Sequence, residues 1–205
     1  MKPYLTQRIG AYFIDLFIVV LISNIIMLPF PTNNNLQKLD AELTEITEKA
    51  LNNEISTSVY ISQTKDISFS IAYEQVGYII VEIVTLILYF IVFQFYNKGQ
   101  TLGKRLFKIK LVKENSENLT MNDVLIRSGL INMIFYEIVM LGFIIMNNSD
   151  LYFYASFILE TIQLIFIIIC IIMASRRKDG KAVHDLITHT RVVKVERKEL
   201  VVCDN

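Results

Sequence analysis

Four long apolar segments alternate with polar connections along the chain. They cover roughly residues 9–30, 76–96, 124–146 and 152–174. A helix needs about 20 mostly apolar residues to cross a bilayer, and segments of this length are too long for ordinary core strands. The pattern therefore predicts an all-α membrane protein, built as a four-helix transmembrane bundle.

The first apolar segment is expected to remain in the protein as a membrane helix. Its apolar run is longer than the roughly 7 to 15 residues of a cleavable signal sequence, and no small-residue cleavage site follows it. We therefore interpret residues 1–205 as one membrane domain. It is expected to have an outer loop at 31–75, a cytoplasmic loop at 97–123 and a cytoplasmic tail at 175–205.

The basic residues fall almost entirely on one side of this arrangement. Of the 20 lysines and arginines, only Lys38, Lys49 and Lys65 lie in the loop at 31–75. Lys and Arg accumulate in the cytoplasmic loops of membrane proteins. Both termini are therefore predicted to face the cytoplasm.

The connections have local patterns of their own. Residues 36–53 carry apolar side chains at alternating spacings of three and four, which predicts an amphipathic helix. Residues 55–73 alternate and are rich in Ser, Thr, Val and Ile, which predicts extended chain or a short hairpin. On the cytoplasmic side, residues 107–114 and 188–197 both have the pattern of short strands. We expect these two segments to pair as a small cytoplasmic β element.

A glycine-rich stretch in the cytoplasmic loop resembles a phosphate-binding loop only superficially. Gly99 and Gly103 are separated by three residues and are followed by Lys104 and Arg105. A P-loop needs four residues between its glycines and Ser or Thr after the lysine. Nucleotide binding is therefore not expected. Enzyme activity and a cofactor are not expected either, because no nucleophile and base, metal-ligand spacing or cofactor motif stands out in the sequence. A nucleic-acid partner is likewise not expected.

The cysteines and histidines do not predict a metal site. Cys170 falls in the fourth apolar segment and Cys203 in the tail, so a disulfide between them is not expected. His184 and His189 are five residues apart, without other ligand-type neighbours at metal spacing. A surface or structural role is favoured for both histidines.

Two charges occur at the start of the first apolar segment and inside it. Arg8 and Asp15 are seven residues apart, or about 10 Å along a helix, which is too far for a direct salt bridge. Arg8 is expected to extend to the lipid headgroups. Asp15 needs a partner from another helix, and Arg127, where the third segment begins, is the best-placed candidate.

Three further acids interrupt the other apolar segments: Glu82, Glu137 and Glu160. No basic residue shares their depth, and a charge exposed to lipid costs several kcal/mol. Two interpretations stay open. The three glutamates form, with Asp15, a path for protons or monovalent cations, or their protonated carboxyls make interhelical hydrogen bonds worth about 0.6 kcal/mol on average.

Several motifs together resemble a known family. They are RIGAYFID at 8–15, GQTLGKRLFKIKLV at 99–112, the arginine at 127 and HDLITHTRVV at 184–193. The sequence resembles the RDD family of small bacterial membrane proteins, which is named after an arginine and two aspartates. By this resemblance, the family's motif residues correspond to Arg8, Asp15, Thr101, Gly103, Lys104, Arg127, His184 and Asp185.

The resemblance implies a multi-pass protein of the bacterial cell (inner) membrane. It also implies transport of unidentified ligands, with exchange of sodium or potassium for protons in some members. We therefore expect a transporter of protons or monovalent cations, although membership alone establishes no reaction. Four helices make a thin pathway, so a homo-oligomer or a partner membrane protein is expected besides membrane lipid. The alternative is a non-transporting scaffold or accessory subunit that binds partner proteins or anionic lipid.

The cytoplasmic motifs also permit a structural interpretation. Thr101 is placed to N-cap a short helix that begins at Leu102. Asp185 is placed to accept backbone N–H bonds, or to pair with Lys104 or Arg105. In this interpretation the motif residues hold the cytoplasmic segments together by capping helices and pairing charges, and they do not contact a transported ion.

Overall fold

The computed structural model describes residues 3–30, 34–114 and 117–195. Within these ranges the chain is helical apart from a two-stranded sheet and short connections. The predicted all-α membrane class with a small β element is confirmed. Cys203 and the last two residues of the second predicted strand lie outside the described residues.

Three helical runs of the described chain are long and apolar enough to cross a membrane. They are α1 (Leu5–Met27), the run Val76–Tyr96 and α9 (Ser149–Arg176). The middle run consists of α4 (Val76–Ile87), a π segment (Leu88–Phe93) and α5 (Gln94–Tyr96). A π-helical turn shifts the direction of the side chains that follow it. In this segment it accompanies the burial of Tyr89, Phe90 and Ile91.

The third predicted membrane helix is broken. It consists of α7 (Met121–Ile131) and α8 (Ile134–Ile145), which are bent by 69° relative to each other. The prediction of one helix over 124–146 is wrong, because Met133 has a φ of +58° and this left-handed conformation ends a helix. The described chain thus has three candidate spans, or four if the bent pair counts as one.

The described part of the loop at 31–75 folds into two helices. The first, α2 (Asn34–Leu51), confirms the predicted amphipathic helix. The second, α3 (Thr57–Glu74), shows that the predicted extended chain or hairpin is wrong. Tertiary contacts outweigh the β propensity of this segment, since Lys65 pairs with Asp150 on α9 at 2.6 Å and the ring of Phe69 lies against Tyr152.

The predicted strand pairing is confirmed, and we call the end of the protein that holds this sheet the inner side. Strands β1 (Ile109–Lys113) and β2 (Thr190–Lys194) are antiparallel, with Ile109 opposite Lys194. Ile109 and Leu111 are almost fully buried and belong to a core cluster with Ala11 of α1 and Val124 of α7. The sheet thereby connects the loop after the second membrane run to the segment after α9.

Two short helices complete the inner side, α6 (Leu102–Leu106) and α10 (Val183–Ile187). Helix α6 lies so close to α1 that its backbone leaves no room for a side chain at Gly103. A Cβ at this position would lie 2.2 Å from the carbonyl oxygen of Ala11 and 2.8 Å from the carboxyl group of Asp15. The missing side chain allows the Gly103 backbone N–H to donate to that carboxylate.

We expect Gly103→Ala to destabilise the protein, because the methyl group would force α6 away from α1. Overpacking of this kind typically costs about 1–3 kcal/mol. Gly142→Ala on α8 is the matched control, since nothing lies within 4 Å of an added Cβ there. Thermal unfolding in detergent measures both variants. Equal melting temperatures for the two would contradict the close packing of α6.

Candidate functional site

Asp15 is fully buried where α1 meets the π segment and α6. One of its carboxylate oxygens accepts hydrogen bonds from the Tyr89 hydroxyl at 2.6 Å and from the Gly103 backbone N–H at 2.7 Å. The other oxygen accepts one from the Thr101 hydroxyl at 2.5 Å. Three neutral donors therefore replace the water that Asp15 loses on burial.

The predicted pairing of Asp15 with Arg127 is wrong. Arg127 instead donates to Asp185 Oδ1. The other oxygen, Asp185 Oδ2, accepts from Arg8 at 2.8 Å and from the backbone N–H of Ala182 at 3.0 Å. Arg127 therefore pairs with Asp185 of α10. The donors to Asp15 come from the π segment, from α6 and from Thr101, which caps α6. The two family acids thus have separate sets of partners.

Arg8 is held inside the protein instead of extending to lipid headgroups as predicted. Its guanidinium donates to Asp185 and to the carbonyl oxygen of Gly180, and only 15% of the side chain is exposed. The predicted pairs of Asp185 with Lys104 or Arg105 are not among its contacts in the described residues. Its predicted acceptance of a backbone N–H is confirmed.

The two arginines determine the charge state of Asp185. Burial alone would raise the pKa of this carboxyl, but the charges of Arg127 and Arg8 outweigh burial and hold the pKa well below its usual range. The carboxylate is therefore ionised at neutral pH and bridges two guanidinium groups. Removing one partner of such a buried network leaves an uncompensated charge, which typically costs about 3–5 kcal/mol.

Thr101 serves two neighbours. Its side-chain oxygen accepts the backbone N–H of Lys104 at 3.3 Å, which confirms the predicted N-cap of α6. Its hydroxyl donates to Asp15. The Thr101 side chain therefore both caps the N-terminus of α6 and donates a hydrogen bond to the buried acid.

Lys104 is a basic group that contacts a neutral partner. Its Nζ donates to the Gln94 side-chain oxygen at 2.6 Å, and no carboxylate of the described residues lies within ion-pair distance of it. Burial lowers the pKa of Lys104 to about 7, aided by the charge of Arg127 and opposed by that of Asp15. Lys104 therefore carries a partial charge near neutral pH.

His184 is buried, and its ring is neutral. Burial, together with the charge of Arg127, lowers its pKa to about 2. Nε2 lies 3.7 Å from Asp185 Oδ2, which is too far for a hydrogen bond. Neither ring nitrogen has a hydrogen-bond partner in the described part of the chain. No cluster of three or more metal-ligating side chains occurs among these residues either.

These side chains surround a cavity of about 320 Å³ on the inner side of the protein. The polar side chains that line it are Arg8, Tyr12, Asp15, Gln94, Lys104, Arg127, Ser128, Asn132 and His184. Five of the eight family motif residues line this cavity. The other three contact lining residues, since Asp185 binds Arg8 and Arg127, and both Thr101 and Gly103 bind Asp15.

The three glutamates form a second group on α4, α8 and α9. Glu137 lies within electrostatic range of both Glu82 and Glu160. The Tyr136 hydroxyl donates to Glu160 at 2.8 Å. None of these three glutamates is among the described residues that line the inner cavity. Asp15 is therefore separate from the three acids with which the sequence grouped it.

Sequence reasoning missed two residues of the inner network. Tyr89 donates to Asp15 and accepts the backbone N–H of Leu102 at 3.2 Å. Gln94 is 1% exposed and orients Lys104. In the sequence, these residues are only a hydroxyl and an amide near the end of an apolar run. That pattern does not identify the groups to which they bind.

The low pKa of Lys104 predicts a pH-dependent stability. Between about pH 7 and 10 the unfolded chain binds this proton and the folded chain does not, so stability is expected to rise with pH. The slope should diminish in Lys104→Met, because that variant has no amine to titrate. Lys108→Met, at an exposed position, should keep the slope. Melting temperatures over a pH series measure it, and identical slopes in both variants would contradict the burial of this charge.

Comparison with known proteins agrees with the motifs. The RDD family model matches residues 2–189, a range that includes every helix of the described residues and all the residues of the inner network. No curated protein and no solved structure matches the chain. With its apolar spanning helices, the chain is a membrane protein that belongs to the RDD family.

Proposed function

We propose that this RDD protein transports protons or monovalent cations across the bacterial cell (inner) membrane. The observation that carries the proposal is the group formed by Glu82, Glu137 and Glu160. These acids come from three different helices, and Glu137 interacts electrostatically with the other two. Ionisable residues inside apolar helices are costly and typically mark ion or proton pathways.

Grouped carboxyls suit a small cation because they cannot all ionise without one. Like charges in one site oppose each other's ionisation, so the group retains protons or binds a cation in their place. The same three acids can therefore exchange one for the other. The Tyr136 hydroxyl gives Glu160 a fixed donor, which leaves its second oxygen for the exchanged ion.

A route toward the inner side follows the packed face of α1. Asp15, Val19 and Ser23 are buried at spacings of four residues. The Ser23 hydroxyl is fully buried, without a hydrogen-bond partner among the described residues, and a water molecule is a natural partner for it. We place the inner end of the route at Asp15, which α6 covers in this conformation, so that passage requires α6 to move.

The exposed face of α9 supports an assembly of more than one chain. Glu160 is exposed there among large apolar side chains, with Phe157 71% and Leu164 59% exposed. A carboxyl on a lipid-facing surface is unfavourable. A second copy or a partner membrane protein would cover it. We place the inner network and both termini on the cytoplasmic side, because Lys and Arg accumulate in the cytoplasmic loops of membrane proteins.

A non-transporting scaffold or accessory subunit is the second candidate. Its support is the completeness of the inner pairing, since Asp15 has three donors and Asp185 has two guanidinium groups and a backbone N–H. Carboxylates with all these partners can hold the helices together without taking part in transport. Such a protein would present its inner face to partner proteins or anionic lipid.

Flux measurements in liposomes test the transport proposal. Purified protein should dissipate an imposed pH or sodium gradient, and Glu137→Gln should reduce the flux to background because it removes the central acid of the group. Glu48→Gln on α2 is the matched control, since Glu48 is exposed in the outer loop; it should retain full flux. Absence of flux with either gradient and either protein orientation, together with a partner recovered by crosslinking, would favour the scaffold.

A further inference from the structure

The inner cavity has one polar end and one apolar wall. Arg8, Lys104 and Arg127 lie at the polar end. The wall is formed by apolar side chains of α1 and α9, including Phe13 and Ile171, which are 66% and 46% exposed. Because both residues belong to membrane-spanning helices, the cavity borders the lipid-facing surface.

The basic side chains at the polar end have more N–H donors than the neighbouring protein acceptors occupy. Each guanidinium has five N–H donors. The described hydrogen bonds of Arg8 come from its two terminal nitrogens, and those of Arg127 come from only one. Lys104 donates to a neutral amide. Three basic groups thus face one cavity, while Asp15 is occupied by three other donors.

Three buried side chains of the cavity lining have polar atoms without partners. Gln94 is 1% exposed and His184 and Asn132 are 7% exposed. Within the described residues, no hydrogen bond is made by Gln94 Nε2, by either ring nitrogen of His184 or by Asn132 Oδ1. Because Gln94 Oε1 accepts from Lys104, its amide nitrogen remains as a donor. Buried polar groups without partners usually indicate a bound water or ligand.

We propose that this cavity binds the phosphate headgroup of an anionic phospholipid. Lys104, Gln94 and Arg127 donate to the phosphate oxygens, and an acyl chain lies along the wall of α1 and α9. Arginine and lysine are the usual phosphate-binding side chains, and the volume of about 320 Å³ is within the range of small-ligand sites. The site does not depend on transport through the glutamates.

Native mass spectrometry of the delipidated full-length protein tests the site. The probes are phosphatidylglycerol and phosphatidylcholine with identical acyl chains, and inorganic phosphate. We expect one phosphatidylglycerol to bind more tightly than phosphatidylcholine. Lys104→Gln should weaken that binding about tenfold, the size expected for loss of one charge-assisted hydrogen bond. Arg105→Gln is the matched control, because Arg105 is an exposed base on the same helix.

A second variant tests the apolar wall without changing charge. Ile171→Trp introduces a larger side chain at the exposed rim of the cavity and should also weaken phosphatidylglycerol binding. Equal binding of the two lipids would overturn the proposal, as would unchanged binding in both site variants. Equal losses in Lys104→Gln and Arg105→Gln would indicate nonspecific surface attraction. Tight binding of inorganic phosphate without the lipid would reassign the cavity to a free anion.

Discussion

The inner side of this protein depends on the neutralisation of two buried carboxylates. Asp185 binds Arg8 from α1 and Arg127 from α7, while its own helix α10 supplies a backbone N–H. Asp15 collects donors from the π segment and α6. Because a buried charge is tolerated only with partners, these acids determine which helices meet. They join the beginning, the middle and the end of the family-matched range.

Local patterns predicted the parts of this arrangement that depend on neighbouring residues. The Thr101 cap, the amphipathic helix α2 and the pairing of β1 with β2 follow from spacing and residue type within short segments. The break at Met133 has no proline or glycine to signal it. Helix α3 is rich in Ser, Thr and Ile, and its helical state depends on packing against α2 and α9.

The partners of the buried acids could not be predicted in the same way. Charge and depth favoured Arg127 for Asp15, but the choice depends on how the helices are oriented around each other. Asp185 of α10 pairs with Arg127, and Tyr89 of the π segment donates its hydroxyl to Asp15. Neutral hydroxyls and a backbone N–H can stabilise a buried carboxylate in place of a cation. Sequence spacing does not indicate such donors.

A double-mutant cycle measures the central pairing directly. The free energies of unfolding of Arg127→Met, Asp185→Leu and the double variant give the coupling of Arg127 to Asp185, and a parallel cycle with Asp15→Leu gives its coupling to Asp15. The structure predicts a coupling of about 1–3 kcal/mol for the first pair and a value near zero for the second. A large coupling to Asp15 with none to Asp185 would contradict the assignment of partners on which this description of the inner network depends.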